Sequence, residues 1–303
     1  MLRFAYPLCA RAAAVAGFSV FAASSALAQN GYDPYATSPD PYQGSSSGYS
    51  SSLFSSQPIS SAAWVVTLSA NGTFSPNFRG AKEMTFTPYP MLGISRGGSK
   101  RRPDIPGDSF SFDLLDSTNF SLGPVARYQP GRYRSDDLKL FGLRKNDWTL
   151  QGGAYIEFWP SHNFRARVEG RHGFRDEDGW VVDFAADFVQ TIDRLTMTLG
   201  PRARWNSNKE MNHRYGVTLS EAATHNLVFP NHAVYAYKPE SGFESAGAAA
   251  SVSYQFTDQW KATATAGYDR LIGDAGRSPI VRRIGDRNQY TFGLKAAYSF
   301  GLN

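Results

Sequence analysis

The sequence predicts an all-β protein, an antiparallel transmembrane β-barrel of about 12 strands, with about 10 as the alternative. Three observations predict this fold. Apolar and polar residues alternate with a period of two in segment after segment from Trp64 onward. These segments run for about ten residues or more, which is the length that a tilted transmembrane strand needs. Aromatic residues also cluster at the segment ends, as in the interfacial girdles of membrane barrels.

The final segment, residues 289–300, shows the alternation most clearly. One of its faces is apolar and the other is polar or small, because successive side chains of a strand point to opposite sides. The apolar face consists of Tyr290, Phe292, Leu294, Ala296, Tyr298 and Phe300, and the other face of Gln289, Thr291, Gly293, Lys295, Ala297 and Ser299. Segments 243–256 and 259–270 repeat this pattern.

Two soluble folds, a β-sandwich and a lipocalin-like barrel, also produce alternating strands, with the apolar face forming the core. The length of the segments favours the membrane barrel. So does the position of the aromatic residues, such as the pair Phe158-Trp159 and the pair Tyr298 and Phe300. The charges on three successive polar faces favour it further.

These three segments carry charges of both signs on the face opposite the apolar one. The charged residues are Arg165, Arg167, Glu169 and Arg171 in the first segment, Asp183 and Asp187 in the second, and Arg202 and Arg204 in the third. On the lipid side, each Arg would cost about 2–4 kcal/mol near the membrane midplane. We therefore expect a lumen charge cluster of cross-strand pairs. Since arginines outnumber carboxylates in this set, an open lumen would favour anions.

Eleven segments are readable as strands, and residues 74–128 are the least regular because of their prolines. Bacterial single-chain barrels have even strand numbers, so twelve is the expected count. Residues 160–163, 192–193 and 257–258 are predicted to form tight periplasmic turns. Residues 129–146, 206–242 and 271–288 are long and polar and are expected outside the cell.

The chain divides into three parts. Residues 1–28 are predicted to be a cleaved signal peptide, with Arg3 and Arg11, an apolar stretch and the small-residue site Ala26-Leu27-Ala28. Residues 29–62 are rich in Ser, Pro and Gly and are predicted to be a disordered periplasmic tail. Residues 63–303 are the predicted barrel, which places the protein in the cell outer membrane.

Composition argues against several other classes. The net charge is +5 without a basic block, so no nucleic-acid partner is expected. The single cysteine, Cys9, lies in the predicted signal peptide, so no disulfide or thiolate metal site is expected. Three of the five histidines lie in the 206–242 loop without metal-ligand spacing, which favours a solvated loop over a catalytic or metal site. No catalytic residue, cofactor or metal is predicted.

Several motifs resemble the MipA/OmpV family of outer-membrane proteins. The most specific is the segment 271–281, Leu-Ile-Gly-Asp-Ala-Gly-Arg-Ser-Pro-Ile-Val, just before the last strand. Weaker matches are residues 76–80, the segment from Gly131-Arg132 to Asp147, and Tyr215-Gly216-Val217. Within the first motif, Gly273, Asp274, Ser278 and Pro279 have residue types that hold turns. We expect them to order a loop on the barrel mouth rather than to catalyse a reaction.

The resemblance implies a binding or structural role rather than a catalysed reaction. It implies a non-enzymatic scaffold or structural protein that contacts outer-membrane lipid, a lytic transglycosylase and a peptidoglycan synthase. A narrow, porin-like channel for small solutes is the alternative, and an outer-membrane enzyme is a third, less favoured, interpretation. Because one fold supports many functions, the scaffold role is an expectation that depends on the family alone.

Overall fold

The computed structural model describes residues 64–96, 103–117, 119–175 and 178–302. The predicted signal peptide and tail lie outside these residues. The described strands form one antiparallel sheet. They are β1 Trp64–Pro76, β2 Met84–Arg96, β3 Phe110–Ser111, β4 Leu115–Asp116, β5 Phe120–Gln129, β6 Thr149–Ser161, β7 Phe164–Gly173, β8 Trp180–Ile192, β9 Leu195–Asn206, β10 Gly242–Gln255, β11 Trp260–Leu271 and β12 Asn288–Leu302.

The order across the sheet is β2, β1, β12 and then down through β11 to β5, with β3 and β4 beyond β5. β3 and β4 pair with successive parts of β5, with Phe110 opposite Ala126 and Leu115 opposite Leu122. The twelve strand segments therefore occupy eleven positions. The predicted all-β, antiparallel barrel of about 12 strands is confirmed.

The two faces of the sheet differ as the alternation predicts. On β6, Ile156 is 55% exposed on the outside, whereas Tyr155 and Glu157 on the inside are each 1% exposed. On β12, Leu294 is 71% exposed whereas Ala297 is 2% exposed. An exposed apolar face around a buried polar face is the arrangement of a membrane barrel, in which lipid covers the outside.

The odd number of strand positions means that the two edge strands of the sheet run in the same direction. Each neighbour in the path from β2 to β3 is antiparallel, and the path has ten steps, so β2 and β3 run in the same direction. The chain must therefore return from the end of β2 to the start of β3, which lies towards the opposite end of the barrel. Residues 103–109 make part of this return inside the lumen, as described below, instead of forming a strand.

The two ends of the barrel differ. Short turns join β6 to β7, β8 to β9 and β10 to β11 at one end, the short-turn end. Among the described residues, the opposite, long-loop end carries three α-helices, α1 Asn208–Tyr215, α2 Leu219–Val228 and α3 Gly273–Arg277, and the shorter helical turns Leu138–Leu140, Pro230–His232 and Ile280–Ile284. None of the described helices is long and apolar enough to cross a membrane.

Candidate functional site: the lumen and its loop cap

The predicted lumen charge cluster is assembled around β7. Arg165, Arg167, Glu169 and Arg171 point inward, and none is more than 3% exposed. The register places Arg165 opposite Asp187 and Glu169 opposite Asp183. On the other side of β8, Asp183 lies opposite Arg204. Alternation along three neighbouring strands therefore brings all eight predicted residues to one wall of the lumen.

These side chains form two groups of ion pairs, which Glu157 on β6 joins by pairing with both Arg165 and Arg167. Arg165 lies 2.9 Å from Asp187, which also lies 2.6 Å from Arg202. Arg167 lies 2.8 Å from Glu169. Arg171 bridges Glu169 and Asp183, and Asp183 also pairs with Arg204 at 2.6 Å. Because every charge in the cluster has a partner of opposite sign, the cost of burying it is offset.

The structure adds charged residues that the sequence reasoning did not assign to the cluster. They are Arg79, Asp108, Arg127, Glu157, Glu244 and Asp269, and they join it through further ion pairs. Within the part of the chain that the structure describes, the extended network contains seven arginines and seven carboxylates. The expected excess of arginine, which suggested an anion preference, is therefore absent from this network.

The alternation predicts the inward direction of one of these residues, Glu157, but not that of another, Glu244. Glu157 lies between Ile156 and Phe158 in a predicted strand, so its inward direction was readable, and it pairs with Arg165 at 2.8 Å. Glu244 is different, because the pairing of β10 with β9 shifts between Phe243 and Ser245. Such a bulge lets two consecutive residues face inward, which breaks the period of two.

Residues 103–109, here called the internal strap, cross the lumen. At one end, Asp104 contacts the wall formed by β10, β11 and β12. It lies 2.7 Å from Lys261 and 2.9 Å from Lys295, and its carbonyl accepts a 2.8 Å hydrogen bond from Ser251. In the middle, the carbonyl of Pro106 accepts a 3.2 Å hydrogen bond from Arg202 on β9.

The other end of the internal strap enters the charge network on β7. Asp108 pairs with Arg165. The backbone N–H of Ser109 donates to Glu169 at 3.1 Å, and its hydroxyl accepts a hydrogen bond from Arg171 at 2.9 Å. Gly107 has a φ of 94°, a conformation that favours glycine, and its carbonyl accepts from Arg127. The internal strap is thus fixed to opposite walls and occupies the space between them.

The long-loop end is covered by a cap with its own apolar core. This core contains Phe78, Ala81, Leu140, Leu143, Val217, Ala222, Val234, Ile280 and Ile284. These residues come from four separate loops. Each of the four segments that resemble the MipA/OmpV family contributes to the cap, since Phe78, Leu140, Val217 and Ile280 belong to those segments.

The residues of the loop motif hold the cap together. Gly273 has a φ of 52° and begins α3. Asp274 accepts a 2.7 Å hydrogen bond from the backbone N–H of Glu240 and pairs with Arg277. Ser278 is fully buried and donates a 2.8 Å hydrogen bond to the carbonyl of Tyr215. Pro279 precedes the single π-helical turn Ile280–Ile284. These contacts join loops to one another.

The histidines of the 206–242 loop lie in the same cap. His225 is fully buried, and its two ring nitrogens lie 3.0 Å from the carbonyl of Phe141 and 3.3 Å from that of His232. The solvated position expected from the sequence is thus wrong for His225, because α2 packs its ring against the neighbouring loop. Among the described residues, no group of three or more His, Cys, Asp or Glu side chains is placed to hold a metal.

The pKa of Asp274 predicts an acid-sensitive loop. The N–H of Glu240 and the guanidinium of Arg277 hydrogen-bond to the carboxylate and lower its pKa. Its stabilising effect is therefore present above the unfolded pKa of about 3.9 and is lost as pH falls through the lower folded value. We expect pepsin to cleave residues 233–241 faster at about pH 2 than at about pH 4, when each rate is divided by that of an unfolded reference peptide to correct for the pH dependence of pepsin itself. Asp274→Asn should remove most of this difference, whereas Asp258→Asn, in a short turn, should preserve it.

Several solved structures are similar to the chain. An outer membrane channel from Pseudomonas putida F1 has a TM-score of 0.40 and 11% identity, covering 84% of this chain and 100% of that one. The NanC porin has a TM-score of 0.38 and 8% identity, covering 76% of this chain and 98% of that one.

The sequence relatives are more informative. Two proteins named "MltA-interacting protein", from Escherichia coli (strain K12) and Shigella flexneri, are each 32% identical to the chain over 187 residues. This region covers 58% of the chain and 71% of each relative. The family model described as "MltA-interacting protein MipA" matches residues 68–300, which include the strands, the internal strap and the cap. The chain therefore belongs to the MipA family, as its motifs predicted, and it is a β-barrel of the cell outer membrane.

Proposed function

We propose that this protein is a non-enzymatic scaffold that holds cell-wall enzymes at the outer membrane. A lytic transglycosylase is the first partner, in keeping with the name of the relatives, and a peptidoglycan synthase is the second. The exposed apolar face of the strands contacts outer-membrane lipid. The short-turn end, with the chain that precedes Trp64, faces these enzymes in the periplasm.

The observation that carries this proposal is the occupied lumen. The internal strap joins opposite walls, the charge network fills the space beside it, and the cap covers the long-loop end. A filled lumen supports a protein that acts through its surfaces more than one that passes solutes. The lumen charges then serve to hold the barrel in shape, and the loop motif serves to order the cap.

Affinity capture tests the scaffold. The tagged full-length chain, recovered from detergent-solubilised envelopes, should retain a lytic transglycosylase of the type named by the relatives. Substitutions in the short turns, such as His162→Ala with Asp258→Ala, should weaken capture. The matched cap substitution Leu138→Ala, at a residue 81% exposed on the opposite end, should leave it unchanged. Recovery of neither murein hydrolase nor synthase would count against the scaffold.

A further inference from the structure

The wall of the lumen formed by β10, β11 and β12 contains two lysines that the arginine network does not include. Lys261 on β11 and Lys295 on β12 point inward on neighbouring strands and meet at one carboxylate. We infer that this pair is a binding site for a small carboxylate anion, in which Asp104 of the internal strap is the resident ligand. This site is independent of the proposed scaffold function.

The contacts of Asp104 are those of a bound carboxylate. Each of its oxygens has a separate cation, with Oδ2 lying 2.7 Å from Lys261 Nζ and Oδ1 lying 2.9 Å from Lys295 Nζ. The hydroxyl of Thr263 donates to Oδ2 at 3.2 Å. Hydrogen bonds between ionised partners are about twice as strong as neutral ones, so these donors form a site for any carboxylate that fits.

The charge balance of the lumen makes these two lysines depend on an anion. In the arginine network, seven arginines face seven carboxylates and leave no surplus. Among the described residues, Asp104 is the one carboxylate within ion-pair distance of Lys261 and Lys295. Both lysines are less than one-third exposed, at 29% and 27%, so water screens their repulsion only in part.

The internal strap supplies its carboxylate at a high local concentration. A ligand tethered by a short segment competes as if it were present at roughly millimolar levels. In the wild-type protein, a free carboxylate must therefore exceed such a concentration before it displaces Asp104. Replacing Asp104 removes this competition and leaves the two lysines and Thr263 in place.

Chemical rescue tests the site. Asp104→Ala should lower the temperature at which the purified barrel changes its mobility on a gel, because two lysines lose their partner. Sodium acetate should raise this temperature again, saturably, when it replaces sodium chloride at constant ionic strength. The wild type and the matched variant Asp258→Ala, which removes a carboxylate from an exposed turn, should show a much smaller acetate response.

Two further variants test whether Lys261 and Lys295 are the groups that bind acetate. Asp104→Ala combined with Lys261→Gln and Lys295→Gln should lose the acetate response, since the cations that bind acetate are gone. Asp104→Asn keeps the shape of the side chain and should respond to acetate if Asp104→Ala does not fold. An equal response with and without the lysines, or no response in either Asp104 variant, would overturn the assignment. Capture of cell-wall enzymes should be unchanged in the variants of Asp104, Lys261 and Lys295, so a failure of this site can be distinguished from a failure of the proposed scaffold function.

Discussion

Replacing Arg165 with methionine is expected to destabilise the barrel by about 3–5 kcal/mol, the usual cost of removing one partner from a buried ion pair. Arg165 is 3% exposed and touches three carboxylates, those of Asp108, Glu157 and Asp187. Methionine fills part of the same volume but leaves these carboxylates with fewer cations. Urea unfolding of the refolded protein, followed by tryptophan fluorescence, measures the change.

The loss of Arg165 should not destabilise the three carboxylates equally. Asp187 still pairs with Arg202, and Glu157 still pairs with Arg167 at 3.0 Å. Asp108 has no second ion pair among the described residues, so the cost should fall mainly on the internal strap. Asp108→Asn should therefore recover part of the stability lost in Arg165→Met, which a double-mutant cycle would measure.

Arg282→Met is the matched control, because Arg282 is exposed at the long-loop end. Such a surface change is expected to alter stability by no more than about 0.5 kcal/mol. A loss below about 1 kcal/mol for Arg165→Met would show that the network contributes little beyond what methionine packing replaces.

The strands were largely predictable because alternation is a local property. The predicted segment that contains Arg165 and Arg171 forms a strand at Phe164–Gly173, and the segment at 289–300 forms one at Asn288–Leu302. The same alternation placed Arg165, Asp183 and Arg204 on the inward face. It required no knowledge of which strands are neighbours beyond their order in the chain.

The internal strap could not be predicted in this way. Pro103, Pro106 and Gly107 interrupt the alternation, so the sequence pattern does not distinguish this region from an irregular strand of the expected twelve. In the structure, its polar atoms bond to lumen side chains on both walls instead of to a neighbouring strand. Only the directions of β2 and β3 require the chain to return, and direction follows from pairing rather than from composition.

The apolar core of the cap could not be predicted from the sequence, for a related reason. Phe78, Leu140, Val217 and Ile280 lie in loops far apart in the chain, and the sequence does not show which of these loops meet. Their common core exists because the barrel brings the loops to one end. The family motifs marked these positions, but the contacts among them belong to the tertiary structure.

Releasing both ends of the internal strap should open the lumen to ions. Asp104→Ala removes the contacts with Lys261 and Lys295, and Asp108→Ala removes the contact with Arg165. The double variant should show discrete current steps in planar bilayers, whereas the wild type should show none. A small cavity lined in part by Gln129, Thr149 and Arg132 lies between the barrel wall and the loops of the cap.

The current through this double variant should prefer anions, because the substitutions remove two negative charges and leave Lys261, Lys295 and Arg165 with fewer partners. The reversal potential in a potassium chloride gradient measures this preference. Adding Lys261→Gln and Lys295→Gln should reduce the preference without closing the pore, whereas the turn variant Asp258→Ala should remain closed. If the double variant folds, as shown by heat-modifiable migration, and still passes no current, then the charge network and the cap close the lumen without the internal strap. The internal strap would then serve to hold β7 against β11 and β12, and the lumen would be a structural core rather than a closed channel.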